Sequence, residues 1–184
     1  MIRYIAFIRG INVGGKNIIK MDSLKNSFEA AGLKNVKTYI QSGNVIFDSN
    51  RTSLLNLRKH IEKQLTKDYG KEIKTVIRTI KQIEELVNLN PFKKIENLGD
   101  VKFYVLFLYE DILKSKTLPK VLEQDSSEIL GFLPGEIFVA SYPAKDGRYG
   151  FPSNLTEKKL GTFYTGRNWN TVCKILSQAK SGTH

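Results

Sequence analysis

Tyr4-Ile5-Ala6-Phe7-Ile8-Arg9-Gly10-Ile11-Asn12-Val13-Gly14-Gly15-Lys16-Asn17 is an apolar run delivered into a glycine-rich turn, and the reading of that turn decides the fold. Its second half reads G-x-x-x-x-G-K-N, one residue away from the phosphate-cradling G-x-x-x-x-G-K-[ST] loop. Taken as that loop, it demands a parallel sheet of βαβ units and a helix opening directly after the lysine, whose first N–H groups would hold phosphate. Neither demand is met. Asn17 offers an amide where the motif needs a hydroxyl for Mg²⁺. Ile18-Ile19-Lys20 follows, and the better helix start is Met21-Asp22-Ser23. Two readings of the turn remain. It is a plain connection between a strand and a helix, or it is a loop whose backbone N–H groups and Lys16 hold an anion without P-loop topology.

Working outward, Tyr4–Arg9 reads as a buried strand. Asp22 or Ser23 can cap a helix with apolar positions Leu24, Phe28 and Ala31, ended by Gly32. Val36–Ile40 alternates as a strand, Ser42-Gly43 turns, and Val45-Ile46-Phe47 returns as its hairpin partner. Thr52 or Ser53 caps a second helix, whose stripe Leu54, Leu57, Ile61 and Leu65 has helical spacing. Ile73–Ile77 closes the series as a strand. The order β-α-β-β-α-β predicts an α+β, ferredoxin-like unit with an antiparallel sheet over residues 1–80. That topology brings Arg9–Asn17 and Gln41–Asn44 to the same end of the sheet.

Residues 81–184 predict a second, smaller α+β unit of similar βαββα pattern. A short helix, Lys81–Leu89, leads to Asn90-Pro91-Phe92 as the boundary, followed by a strong strand at Val101–Phe107. Asp111 starts a short helix through Leu113, and Leu118–Ser127 is ambiguous. Ile129–Leu133 and Glu136–Ser141 flank Pro134-Gly135 as a hairpin, and Leu155–Leu160 and Thr171–Ala179 read as helices.

Composition bounds the function. The chain has 184 residues, 41% of them hydrophobic, enough to bury a core. No apolar run approaches the roughly 20 residues of a membrane span. One cysteine excludes an internal disulfide framework, and the N-terminus lacks the small-residue cleavage site of a signal peptide. A cytoplasmic protein with no membrane partner and no cofactor is expected. With two histidines, one of them His184, no multi-histidine metal site is expected. Net charge is +11 and unevenly spread: residues 1–80 carry 15 Lys+Arg against 6 Asp+Glu, net +9, while residues 81–184 carry 14 against 12, net +2. Such asymmetry suits a polyanionic partner. A Lys-rich surface can equally serve solubility, and Lys outnumbers Arg 22 to 7.

Few residues suggest catalysis. Lys59, Lys63 and Lys67 recur every four positions beside His60, either a solvated helix face or a phosphate-tracking surface. Cys173 sits among Val172, Ile175 and Leu176 and reads as a small core residue. No Ser or Cys pairs visibly with His60, and no carboxylate couple stands out. An RNA-recognition motif shares the β-α-β-β-α-β order, but Ser42-Gly43-Asn44-Val45-Ile46-Phe47 lacks its strand-three pattern. Phe7 and Phe47 could offer stacking surfaces, but the second half is expected to cover them. Thr165-Gly166-Arg167-Asn168-Trp169-Asn170-Thr171 precedes the last helix: Asn168 or Asn170 can cap it, Arg167 sits where an anion would meet its N-terminus, and Trp169 can anchor it.

Arg9–Asn17, Tyr39–Val45 and Arg167–Thr171 together resemble the bacterial family known as domain of unknown function 1697, over nearly the whole chain. The resemblance implies a cytoplasmic protein with a ferredoxin-like component, and supplies no catalytic residues. Gly166 departs from the side-chain-bearing residue expected there. These motifs fall where the topology places a site. An inter-subdomain anion pocket is therefore expected, with Gly14 and Gly15 N–H groups and Lys16 on a phosphate or carboxylate. Asn12, Asn17, Gln41, Ser42, Gly43 and Asn44 would line it, Arg9 would brace the loop, and Arg167 and Asn168 would close it. The expected partner is a phosphate-bearing small molecule or a nucleic acid. The alternatives are a small-molecule transferase or hydrolase, and a protein-interaction domain.

Overall fold

The computed structural model describes residues 1–95, 99–111, 121–122, 126–149, 155 and 157–181. The chain divides into two compact units, Met1–Glu85 with Lys174–His184, and Leu86–Cys173. The fold is α+β.

In the first unit β1 (Ile2–Ile8), α1 (Met21–Ala30), β2 (Lys34–Tyr39), β3 (Asn44–Ser49), α2 (Leu54–Tyr69) and β4 (Thr75–Thr79) follow in turn, with α3 (Ile80–Leu89) after them. The sheet order is β2-β3-β1-β4 and every neighbouring pair is antiparallel. That is the order of the split βαβ unit. It also disposes of the P-loop reading, since β1 lies between antiparallel neighbours and α1 begins only at Met21.

Alternation along the strands sets the core. Tyr4 lies opposite Phe47, and Ala6 lies opposite Val45 on one side and Ile77 on the other. All five join Leu24 and Phe28 of α1 and Leu57, Ile61 and Leu65 of α2 in one buried cluster. The Phe47 ring stands 5.6 Å from that of Tyr4 and 5.4 Å from that of Phe28. The Tyr4 hydroxyl donates to the Arg51 carbonyl at 2.7 Å, so this buried ring leaves no polar atom unmatched.

The helix ends are built differently. Ser53 caps α2 by accepting from the Asn56 N–H at 3.4 Å, and Gly70 terminates it at φ +66°. α1 has Lys20 at its N-cap and no side-chain cap; Asp22 sits inside the first turn, where its charge favours the helix dipole, and neither it nor Ser23 caps. His60 Nε2 lies 2.8 Å from the Ala31 carbonyl. A carbonyl only accepts, so this nitrogen donates, and it ties α2 to the C-terminal end of α1.

The other face of the sheet is covered as well. Phe7 is wholly buried, as are Ile5, Ile46 and Val76 to within a few percent. Phe47 is wholly buried too, so neither ring can stack a base. On this face Arg3 donates from Nη1 to the Ala179 carbonyl at 2.7 Å, and Lys180 pairs with Glu84. These contacts draw the end of the last helix into the first unit; its sequence pattern alone placed it with residues 81–184.

Arg3 also grips Asp48 with two nitrogens, at 2.8 and 3.0 Å, and Asn35 Nδ2 donates to the same carboxylate at 2.7 Å. The Arg3 hydrogen bonds, then that of Asn35, hold the Asp48 carboxyl below its ordinary pKa against the opposing effect of burial. A depressed folded-state pKa means stability that is complete above the unfolded value, about 4, and lost as pH falls through the folded value. Asp48→Asn should therefore cost about 2 kcal/mol at neutral pH, the scale of hydrogen bonds to a charged group. It should also flatten the loss of stability below about pH 4. Urea melts of both proteins from pH 7 to pH 3 check this; parallel acid limbs would refute it.

The second unit contains β5 (Lys102–Leu108), β6 (Val121–Leu122), β7 (Ser127–Leu133), β8 (Glu136–Ser141), α4 (Glu157–Leu160) and β9 (Tyr164–Asn168), followed by α5 (Trp169–Lys180). Its antiparallel sheet runs β6-β7-β8-β5-β9. The hairpin around Pro134-Gly135 forms as expected. The expected βαββα pattern misses β9, which pairs with β5 from Tyr104–Asn168 to Leu108–Tyr164. The expected helix from Asp111 through Leu113 lies largely outside the described residues. One face of the sheet carries Leu106, Leu108, Ile129, Ile137, Val139, Leu155 and Leu160. Elsewhere in the unit Phe92 stacks on Phe103 at 4.8 Å and meets Trp169 edge-on at 5.1 Å, the anchor expected of that ring.

Candidate functional site

Three loops meet at one end of the first unit's sheet. The Ile8 N–H donates to the Gly43 carbonyl at 2.8 Å, and the Arg9 N–H to that of Lys74 at 2.9 Å. Asn12 Nδ2 donates to the Gln41 carbonyl at 2.8 Å, and Lys71 Nζ to Asn17 Oδ1 at 2.6 Å. Residues 9–20, 40–43 and 70–74 are thus stitched together, and the first two are the stretches that topology placed side by side.

The glycine loop is a miniature β-hairpin. Val13 and Lys16 form an antiparallel bridge, with the Lys16 N–H on the Val13 carbonyl at 3.0 Å. The Asn12 N–H reaches the Asn17 carbonyl at 3.2 Å, a second rung. Between them Gly14 and Gly15 take φ +57° and +72°, the paired positive angles of a type I′ turn. Glycine is needed at both because a side chain resists that region. The N–H groups of Gly14 and Gly15 meet no acceptor among the described residues. Lys16 beside them is exposed, as are Lys20 and Lys71. Glu72, the acidic residue of the third loop, is taken by Lys74 at 2.5 Å.

Most of the polar side chains expected to line a pocket make hydrogen bonds that build these loops. The Asn12 Oδ1 accepts from the Ile19 N–H at 2.8 Å, while its Nδ2 serves the carbonyls of both Ile19 and Gln41. Asn17 Nδ2 donates to the Gly10 carbonyl at 2.9 Å. Asn44 is fully buried and donates to the Tyr39 carbonyl and to Ser42 Oγ. Asparagine suits these positions because its short amide both donates and accepts, and because it tolerates the positive φ found at Asn12 and Asn17. Gly43 is demanded by space: a Cβ there would lie 2.7 Å from Ile11 Cδ1 and 3.0 Å from Ile8 Cβ. Gln41 and Lys16 keep exposed side chains, and Arg9 is half-buried.

Arg167 and Asn168 belong to the second unit, at the end of β9. Arg167 is buried and donates from Nη1 to Thr165 Oγ1 at 2.7 Å and to the Gly166 carbonyl at 2.8 Å. Burial lowers its pKa to about 10, so it remains a cation at neutral pH. It therefore stands inside a strand, two residues before the helix whose N-terminus the sequence placed it at. Asn168 performs the expected capping, its Oδ1 accepting from the Asn170 N–H at 3.0 Å.

Lys71, which sequence reading passed over, joins these loops through Asn17. The only clue to it was topological, since the start of β4 must fall at the same end as the end of β1. Burial raises the Cys173 thiol pKa, the opposite of the shift that activates a nucleophilic cysteine. Among the described residues no group of three or more His, Cys, Asp or Glu could hold a metal ion, and no helix is long and apolar enough to cross a membrane.

A family model described as "Protein of unknown function (DUF1697)" matches residues 1–138. The chain belongs to this family. The matched span contains the glycine hairpin and the Gln41–Asn44 turn, two of the motifs that carried the resemblance. Among solved structures, the conserved bacterial protein SP0830 from Streptococcus pneumoniae is similar with a TM-score of 0.69 at 22% identity, over 97% of this chain and 98% of its own. That likeness shows the fold. No curated protein matches the sequence.

Proposed function

We propose that the first unit binds a phosphate-bearing ligand at the tip of the Val13–Lys16 hairpin. One observation carries this reading: two adjacent N–H groups, of Gly14 and Gly15, have no acceptor among the described residues, and the next residue is the exposed Lys16. Backbone N–H groups presented together through positive-φ residues form an anion-binding concavity, and a lysine adds a strong point charge for phosphate. Gln41 and Ser42 would face the ligand from the adjoining turn. Asn12, Asn17 and Asn44 would act one step removed, by holding the two loops in place.

Pyrophosphate is a suitable first probe, because it carries the shared chemistry without committing to a nucleotide or a sugar. A ligand at 100 times its Kd stabilises the protein by about 2.7 kcal/mol. A thermal-shift titration should show a rise in Tm for the wild type. Lys16→Ala, which removes an exposed side chain, should keep the ligand-free Tm and lose at least about tenfold in affinity, the loss of one charge-assisted contact. An undiminished shift in Lys16→Ala would sink the reading.

A further inference from the structure

A row of lysines on α2 leads to this hairpin. Lys59, Lys63 and Lys67 each stand two residues beyond Leu57, Ile61 and Leu65, which are buried. Two residues are about 200° around a helix, so the row lies opposite the core, and all three side chains are exposed. None of the three has an ion-pair partner among the described residues. Three other lysines of the first unit have carboxylate partners, Lys25 with Glu29, Lys81 with Glu85 and Lys180 with Glu84, while Lys20, Lys34 and Lys37 are exposed without one among the described residues but form no helical row. Neither carboxylate on α2 forms an ion pair with the row: Glu62 accepts the Thr75 N–H, and Asp68 accepts from Gln64 one turn back on the same helix.

The row does not stop with the helix. Four residues past Lys67, beyond the Gly70 cap, Lys71 is exposed and bonds Asn17 of the hairpin that presents Lys16. The result is an un-neutralised basic track along the length of α2 and around to the glycine turn. Four residues of helix rise about 6 Å, so the charges recur at a regular short interval. A lone phosphate uses one such charge; a polymer of phosphates uses them all.

We infer that the partner of this face is a nucleic acid, held without regard to sequence by its sugar–phosphate backbone along Lys59, Lys63, Lys67 and Lys71, with one phosphate at the Lys16 hairpin. The inference rests on the hairpin reading for that last phosphate only. Phe7 and Phe47 are both buried and offer no platform for stacked bases. Affinity should therefore come from charge and fall steeply with salt.

Binding of a labelled oligouridine of about 15 nucleotides to the full chain, followed by fluorescence anisotropy from 25 to 300 mM salt, tests this. Each lysine–phosphate contact contributes about −0.7 to the slope of log K against log salt for a single strand. The triple variant Lys59→Ala, Lys63→Ala, Lys67→Ala should lower that slope in magnitude by about 2 and weaken binding at least about fiftyfold at low salt. A control removing the same charge elsewhere, Lys34→Ala, Lys93→Ala, Lys94→Ala, should change affinity less than about threefold. No binding by the wild type, or equal losses in the two triple variants, would overturn the inference. The two readings fail separately. A Lys16-dependent pyrophosphate shift without oligouridine binding removes the nucleic acid and leaves the hairpin. Row-dependent oligouridine binding without that shift removes the hairpin and leaves the row.

Discussion

Gly43→Ala should destabilise the protein by about 3 kcal/mol, although it adds a single methyl group. Two costs combine. The φ of +72° at Gly43 lies in the left-handed region, which costs an L side chain about 1–2 kcal/mol. The new Cβ would also stand 2.7 and 2.9 Å from Ile11 Cδ1 and Cγ1, and 3.0 Å from Ile8 Cβ. The isoleucine tip can swing away, but Ile8 Cβ is fixed to β1, so something in the packing must shift, at about 1–3 kcal/mol. Urea denaturation should show a lower midpoint with an unchanged slope. Ile11→Val removes the atom nearest the clash, and the double variant should recover at least about 1 kcal/mol relative to additivity. A loss under about 1 kcal/mol, or strict additivity, would mean that the two loops do not pack this closely.

The same contact explains why the first unit was legible in the sequence while the use of its polar residues was not. The apolar runs Tyr4–Ile8 and Val45–Phe47, buried on both faces, and the stripe Leu57, Ile61, Leu65 are local patterns that mark buried strands and a helix packed on them. From these the strand order follows, and with it the meeting of the glycine loop and the Gln41–Asn44 turn. An asparagine in a loop carries no such pattern. Whether its amide faces a ligand or a neighbouring carbonyl depends on distances of a few ångströms between chain segments. Asn12, Asn17 and Asn44 read as pocket lining, and each donates its amide to a carbonyl of a neighbouring segment.

β9 was missed for a related reason. Tyr164-Thr165-Gly166-Arg167-Asn168 holds a glycine and an arginine where a buried strand usually shows β-branched residues. Arg167 is tolerated inside because a hydroxyl and a carbonyl of its own strand accept from it. The return of α5 to the first unit was equally hidden. The Arg3 bond to the Ala179 carbonyl joins residues 176 apart in sequence, and no local periodicity announces it.

Asn12→Ala should cost about 3 kcal/mol and weaken pyrophosphate binding at least as much as Lys16→Ala, for a different reason. The Asn12 amide makes three hydrogen bonds that close residues 12–19 on themselves and onto the Gln41 carbonyl. Its removal leaves a part-buried Ile19 N–H and two carbonyls without partners, each worth about 1 kcal/mol net. Alanine is also strained at the φ of +56° held by Asn12. Asn12→Gly separates the two effects: it relieves the strain and keeps the hydrogen-bond loss, so it should be about 1 kcal/mol more stable than Asn12→Ala. Lys16→Ala, by contrast, should leave unfolding free energy unchanged. If Asn12→Gly loses the pyrophosphate shift while keeping most of its stability, the hairpin acts through its held geometry. If it keeps the shift, Lys16 binds phosphate as a mobile surface charge, and the glycine turn is only a connection.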